Sequence, residues 1–133
     1  MPHHVVGHAY EVKADHRDGT AEKSQWLVPV PDELGVFART VTEAWRMGDY
    51  GWGLHLDGGR PERLGSSAVS RGQVNDLYVA FFVFAQLCHG YPSDPVRSVR
   101  EVPPSQVLQR WLEAGILSPA KVRKIGRGLR WKP

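Results

Sequence analysis

The chain has 133 residues, 41% apolar and 23% charged, with a formal net charge of +3, which fits one folded domain and excludes a disordered chain or two full-sized domains. Cys88 is the only cysteine, so no internal disulfide is possible, and its neighbours Phe84, Ala85 and Leu87 predict a buried, inert thiol. The first residues lack a signal-peptide pattern and the longest apolar run, Leu77 to Ala85, is too short to span a bilayer, so a soluble, cytoplasmic protein without membrane association is expected.

In chain order, Val5 to Val12 and Gln25 to Val30 read as strands, and the polar stretch Asp15-His16-Arg17-Asp18-Gly19-Thr20 between them predicts a hairpin. Pro29 and Pro31 stop the second strand. Asp32 then reads as the N-cap of a first helix, with Leu34, Phe37, Val41, Ala44 and Trp45 at helical spacing until Gly48. Trp52, Leu54 and Leu56 alternate with Gly51, Gly53, His55 and Asp57, which is strand periodicity with one nearly bare face. That bareness predicts a close approach by another element. Asp57-Gly58-Gly59-Arg60-Pro61 reads as a turn, returning as a short edge strand over Glu62 to Gly65.

Ser70 followed by Gln73 has the pattern of a capping box, and Gly90 has that of a helix terminator. The run between them is apolar nearly all round. Composition alone also permits a buried strand over Tyr78 to Phe84, but the flanking signals favour a central helix, the most buried element of the fold. Tyr91 to Pro104 carries four prolines and reads as an irregular connection. A further helix begins near Ser105, carries Val107, Leu108, Trp111 and Leu112, and ends at Gly115 with Ile116 folding back on Trp111. Beyond it, Ser118-Pro119 either caps one more helical turn or precedes a hairpin of Lys121 to Ile125 and Leu129 to Trp131, turning at Gly126-Arg127-Gly128. The hairpin is slightly favoured. The expected fold is α+β: a small antiparallel sheet packed on about three helices, ending in a basic hairpin or tail. Residues 1 to 133 form one domain, with 1 to 94 as its mixed core and 95 to 133 as a basic extension.

Charge is unevenly distributed along this chain. Residues 1 to 94 hold 8 Lys and Arg against 12 Asp and Glu, a net −4, whereas residues 95 to 133 hold 9 against 2, a net +7. The last third therefore calls for an anionic partner, either nucleic acid or an acidic protein surface. Lys121, Arg123, Lys124, Arg127, Arg130 and Lys132 interleave with Val122, Ile125, Leu129 and Trp131, so apolar residues can anchor a face that presents cations. The competing reading is a solvated basic tail that only completes the core.

The segment Val107-Leu108-Gln109-Arg110-Trp111-Leu112-Glu113-Ala114-Gly115-Ile116-Leu117, followed by Lys124-Ile125-Gly126-Arg127-Gly128-Leu129-Arg130-Trp131, resembles the recognition helix and wing of excisionase and MerR-like DNA-binding domains. That resemblance implies that Gln106, Gln109 and Arg110 face the major groove and that Lys124, Arg127 and Arg130 lie on backbone phosphates. Trp131, between Arg130 and Lys132, is placed either to stack on a base or a partner protein or to dock on the preceding helix.

Two other constellations carry chemistry-bearing residue types. His55, Asp57 and Arg60 flank the glycine turn, where a base, an orienting carboxylate and an anion clamp can converge. The ordinary alternative is a turn beside a partly exposed sheet histidine, and no third catalytic group accompanies them. His3, His4, His8 and His16, with Asp15 and Asp18, offer metal-ligand types without the spacing of a closed site. His4, His8 and His16 are the residues to inspect there. No cofactor is implied. The leading expectation is a small nucleic-acid-binding accessory or regulatory protein; the runner-up is an inhibitor, immunity or adaptor module that binds an acidic protein, and an enzyme built on His55 and Asp57 is third.

Overall fold

The computed structural model describes residues 2–133. At its centre lies an antiparallel sheet in the order β10-β9-β5-β4, where β4 is Arg46–Met47, β5 Tyr50–Asp57, β9 Val79–Val83 and β10 His89–Pro92. Strand β6 (Arg60–Glu62) returns on β5 through a tighter turn than expected, at Gly58 and Gly59, both at positive φ, and so lies ahead of the expected Glu62 to Gly65. Helix α1 (Val30–Thr42) covers one sheet face, and α2 (Ser105–Glu113) with α3 (Pro119–Gly126) covers the other. The fold is therefore α+β, as expected.

The expected central helix is overturned. Val79 to Val83 form β9, paired with β5 on one side and β10 on the other. Its run is apolar at every position because both faces are covered, which removes the period-2 alternation of a half-exposed strand. Val79 and Phe81 pack with Trp52, Leu54, Val107 and Trp111, whereas Ala80 and Phe82 pack with Val36 and Phe37. Ser70 and Gln73 cap no helix, since Val69–Arg71 is a 3-10 turn ending at Gly72. Gly90 lies within β10, where a side chain would run into the ring of Phe82.

The bare face of β5 is what α1 fills. A Cβ on Gly53 would meet Thr40 Oγ1 and lie 2.8 Å from Val36 Cγ1, and one on Gly51 would lie 2.7 Å from Phe84 Cε1. Helix α1 starts earlier and stops earlier than its periodicity suggests. Pro29 is its N-cap, and after Thr42 the chain reverses at Ala44, φ 56°, with Trp45 N–H donating to Thr40 O at 3.0 Å. This Schellman-type reversal drives Trp45 into the opposite core beside Trp111.

The expected N-terminal hairpin pairs differently. A tight turn at Val6-Gly7, both at positive φ, breaks the first strand into β1 (His3–Val5) and β2 (His8–Tyr10), which pair with each other. Strand β3 is only Gln25–Trp26 and pairs with β7 (Gly65–Ser66), which in turn pairs with β8 (Asp76–Leu77). The hairpin is held at Cys88, whose N–H donates to Ala9 O and whose carbonyl accepts from Glu11 N–H, each at 2.8 Å. Glu33, wholly buried, accepts from Tyr10 Oη at 2.6 Å and from Arg17 Nη2 at 2.8 Å.

Two glycine substitutions test the close approach of α1. Gly53→Ala is expected to destabilise the protein by about 1–3 kcal/mol through overpacking. Gly35→Ala, on the open face of α1 with nothing near its Cβ, is expected to stabilise by about 0.5–1 kcal/mol. Urea midpoints measure both, and an unchanged midpoint for Gly53→Ala would contradict the packing.

Candidate functional site

The basic end is helical where a hairpin was favoured. Ser118 caps α3, its hydroxyl accepting from Lys121 N–H at 3.3 Å, and Pro119 occupies the first turn. Gly128, read as part of a hairpin turn, instead terminates the helix at φ 68°, with Leu129 N–H donating to Lys124 O at 2.9 Å. Helix α2 ends in the same way: Gly115 has φ 72° and Ile116 N–H donates to Trp111 O at 3.0 Å. Two short helices joined through residues 114 to 118 thus pack on one another. Val107, Leu108, Trp111, Leu117 and Ile125 anchor it on the sheet.

On α3 the anchor is Ile125, with Val122 partly buried beside it, and the opposite face presents Arg123, Lys124 and Arg127, flanked by half-buried Lys121. No acid lies on this helix. Among the described residues, none of Arg110, Lys121, Arg123, Lys124, Arg127 and Lys132 pairs with a carboxylate. Arg130 differs: its guanidinium is held by both carboxylate oxygens of Asp94, at 2.9 and 3.3 Å. On α2, Gln106, Gln109 and Arg110 are exposed, and Glu113 shares their face. The unneutralised cations therefore concentrate on α3.

Trp131 is half-buried and packs against the core that Val107, Leu108 and Trp111 of α2 help to build. Its ring meets Tyr78 at 5.4 Å and 53°, and the two border an open groove of about 550 Å³ between residues 74–78 and the C-terminal tail. Lys124, Arg130 and Lys132 line the same groove. The other four tryptophans, Trp26, Trp45, Trp52 and Trp111, are buried.

The remaining candidates do not converge. His55 and Asp57 lie on β5 opposite Glu62 and Arg60, and no hydrogen bond among the described residues joins His55, Asp57 and Arg60. His3 and His4 are exposed on β1, and the His8 ring packs edge-on against Phe84 at 5.4 Å. Among the described residues, no three His, Cys, Asp or Glu side chains gather as a metal site. No helix of the described residues is long and apolar enough to cross a membrane.

No protein family, curated protein sequence or solved structure matches this chain. Its own geometry must supply the functional reading.

One cleft had no local signal in the sequence. His16, buried, stacks on Tyr91 with ring centroids 4.8 Å apart and planes 7° from parallel. Its Nδ1 lies 2.8 Å from Ser24 O, and because a carbonyl only accepts, Nδ1 carries the proton. Tyr91 Oη donates to Glu101 Oε2 at 3.2 Å, and the Glu101 carbonyl accepts from Trp52 Nε1 at 3.1 Å. His16, Ser24, Tyr91 and Glu101 line a cleft of about 290 Å³ with Lys23, Arg71 and Arg97. Burial holds His16 below the usual imidazole range and pushes Glu101 above the usual carboxylate range. The signs are opposite: the His16 contribution to stability is present above its unfolded value and lost as pH falls through the lower folded one, while that of Glu101 is lost as pH rises through its raised folded value.

His16→Phe keeps an aromatic ring on Tyr91 and removes the titration. Its stability at pH 7 is expected to fall by about 1 kcal/mol for the lost hydrogen bond. Its further loss on acidification below about pH 6.5 should be shallower than in the parent chain. Thermal unfolding across that range measures the difference, and parallel profiles would show that His16 is not held neutral by the fold.

Proposed function

We propose that this chain is a small nucleic-acid-binding accessory or regulatory protein that meets phosphates with the exposed face of α3. The observation that carries this reading is the row Lys121, Arg123, Lys124 and Arg127, free of carboxylate partners on a helix anchored from behind by Ile125. Such fixed, unneutralised cations release counterions from a polyanion on binding. The basic residues stand on a helix here, so α3, and not a wing, is the contacting element.

Fluorescence anisotropy with a short labelled duplex and a labelled single strand tests the reading. Affinity should fall steeply between about 50 and 200 mM salt, with a log–log slope of up to about −4 for the contacts of α3 and Lys132. Replacing Arg123 or Arg127 by Ala should weaken binding evenly across sequences and reduce the slope by about 1. Absence of binding to either nucleic acid at low salt would reject the proposal.

The competing reading, an inhibitor, immunity or adaptor module for an acidic protein, draws on Val96, Val99 and Leu129, exposed apolar side chains within the same basic third. A stoichiometric protein complex that survives nuclease treatment would favour it.

A further inference from the structure

We propose that the groove between residues 74–78 and the C-terminal tail is a subsite for single-stranded nucleic acid. An unpaired base stacks on the Trp131 and Tyr78 pair, and its flanking phosphates are met by Lys124 and Lys132. This inference rests on the nucleic-acid reading of α3 and specifies the form of nucleic acid that one part of the surface takes.

Three observations on different groups converge on this groove. The first is aromatic. Trp131 is half-buried while the other four tryptophans are buried, and it meets Tyr78 at 5.4 Å and 53°, so the two touching rings make a tilted wedge on the groove wall that a base meets from outside. A purine or pyrimidine has a π-face of the kind such a wedge accepts, whatever its sequence.

The second observation concerns charge. One carboxylate, Asp76, lines the groove and meets Arg63 at 3.4 Å, and Asp94, outside it, holds Arg130 at 2.9 Å. Lys124 and Lys132 pair with no carboxylate among the described residues. The pairing with Asp94 also fixes the tail against the body of the protein at Arg130, the residue just before Trp131, so the wedge is held in place before any ligand arrives.

The third is shape and continuity. The groove is open along its length, with room for about 550 Å³. Lys124 belongs both to it and to the exposed face of α3. A strand whose backbone follows α3 therefore reaches the wedge without leaving the basic surface. A duplex keeps its base faces stacked internally and has none to offer there.

The test is a titration of the full chain at low salt with oligothymidylate and, separately, with a mixed-sequence duplex, read by tryptophan fluorescence and by anisotropy. Oligothymidylate is expected to quench the fluorescence. In Trp131→Leu, which keeps an apolar contact on Tyr78, the quenching should be largely lost, and single-strand affinity should fall about 5- to 150-fold, the range for one lost base stack. Duplex affinity should stay within about twofold, since α3 is untouched. Lys132→Glu, a change at an exposed residue that leaves both aromatic rings in place, should weaken single-strand binding with unfolding behaviour unchanged. Unchanged oligothymidylate affinity in both variants, or parent chain that binds duplex and not single strand, would overturn the subsite while leaving the α3 reading standing. Parent chain that binds neither would overturn both.

Discussion

The approach of α1 to the glycine face of β5 sets the geometry on which the rest of the structure depends. Thr40 and Val36 occupy the space that side chains on Gly51 and Gly53 would fill, so the helix lies close enough to seal one side of the sheet. With that side sealed, β9 is apolar on both faces, and its second face is free to carry an independent core. That second core is built from Trp45, Trp52, Phe81, Val107, Trp111 and Ile125. The basic helices are thus structural members of the fold and not an appended tail. Their inner residues complete a core while their outer residues present charge.

The two ends of the molecule are stabilised by different physics. Near the N-terminus, the hairpin is tied to α1 through the buried carboxylate of Glu33, which Tyr10 and Arg17 hydrogen-bond. Burial pushes that carboxyl up and the two partners pull it back. Removal of either partner would strand a polar group in the core. At the C-terminus, helix ends are closed by backbone reversals at Gly115 and Gly128, and the cations point to water. Buried Glu33 takes Arg17 and Asp94 takes Arg97 and Arg130, whereas the cations of α3 pair with no carboxylate among the described residues.

Much of this was legible from residue pattern, and the failures have identifiable causes. Strand β5, its Gly58-Gly59 turn and α2 with its Gly115 stop each carry an undiluted local signal, a period of two or a glycine where positive φ is required. The bareness of Gly51 and Gly53 announced a close neighbour, though not that the neighbour is α1. Strand β9 was misread because burial on both faces erases strand periodicity, and chance Ser70, Gln73 and Gly90 supplied false helix ends. At α3 the residue pattern leaves a helix capped by Ser118-Pro119 and a hairpin both open, because a glycine closing a helix and a glycine turning a hairpin look alike in a short basic segment, and the structure takes the helix. The pairing of Arg130 with Asp94 joins residues remote in sequence, so no local pattern announces it. The stacking of His16 on Tyr91 and the wedge of Trp131 with Tyr78 are likewise long-range contacts, which no local pattern encodes.

The central claim is that α3 and the tail beyond it form the surface that meets a polyanion. Mapping backbone amide chemical shifts of the full chain during titration with a short oligonucleotide at low salt tests it most directly. The account expects the perturbed amides to cluster at residues 119 to 132 and at Asn75 to Tyr78, and to recover as salt is added. Perturbations centred on the His16 and Tyr91 cleft, or on the β5–β6 turn near His55, would place the working surface elsewhere and contradict it.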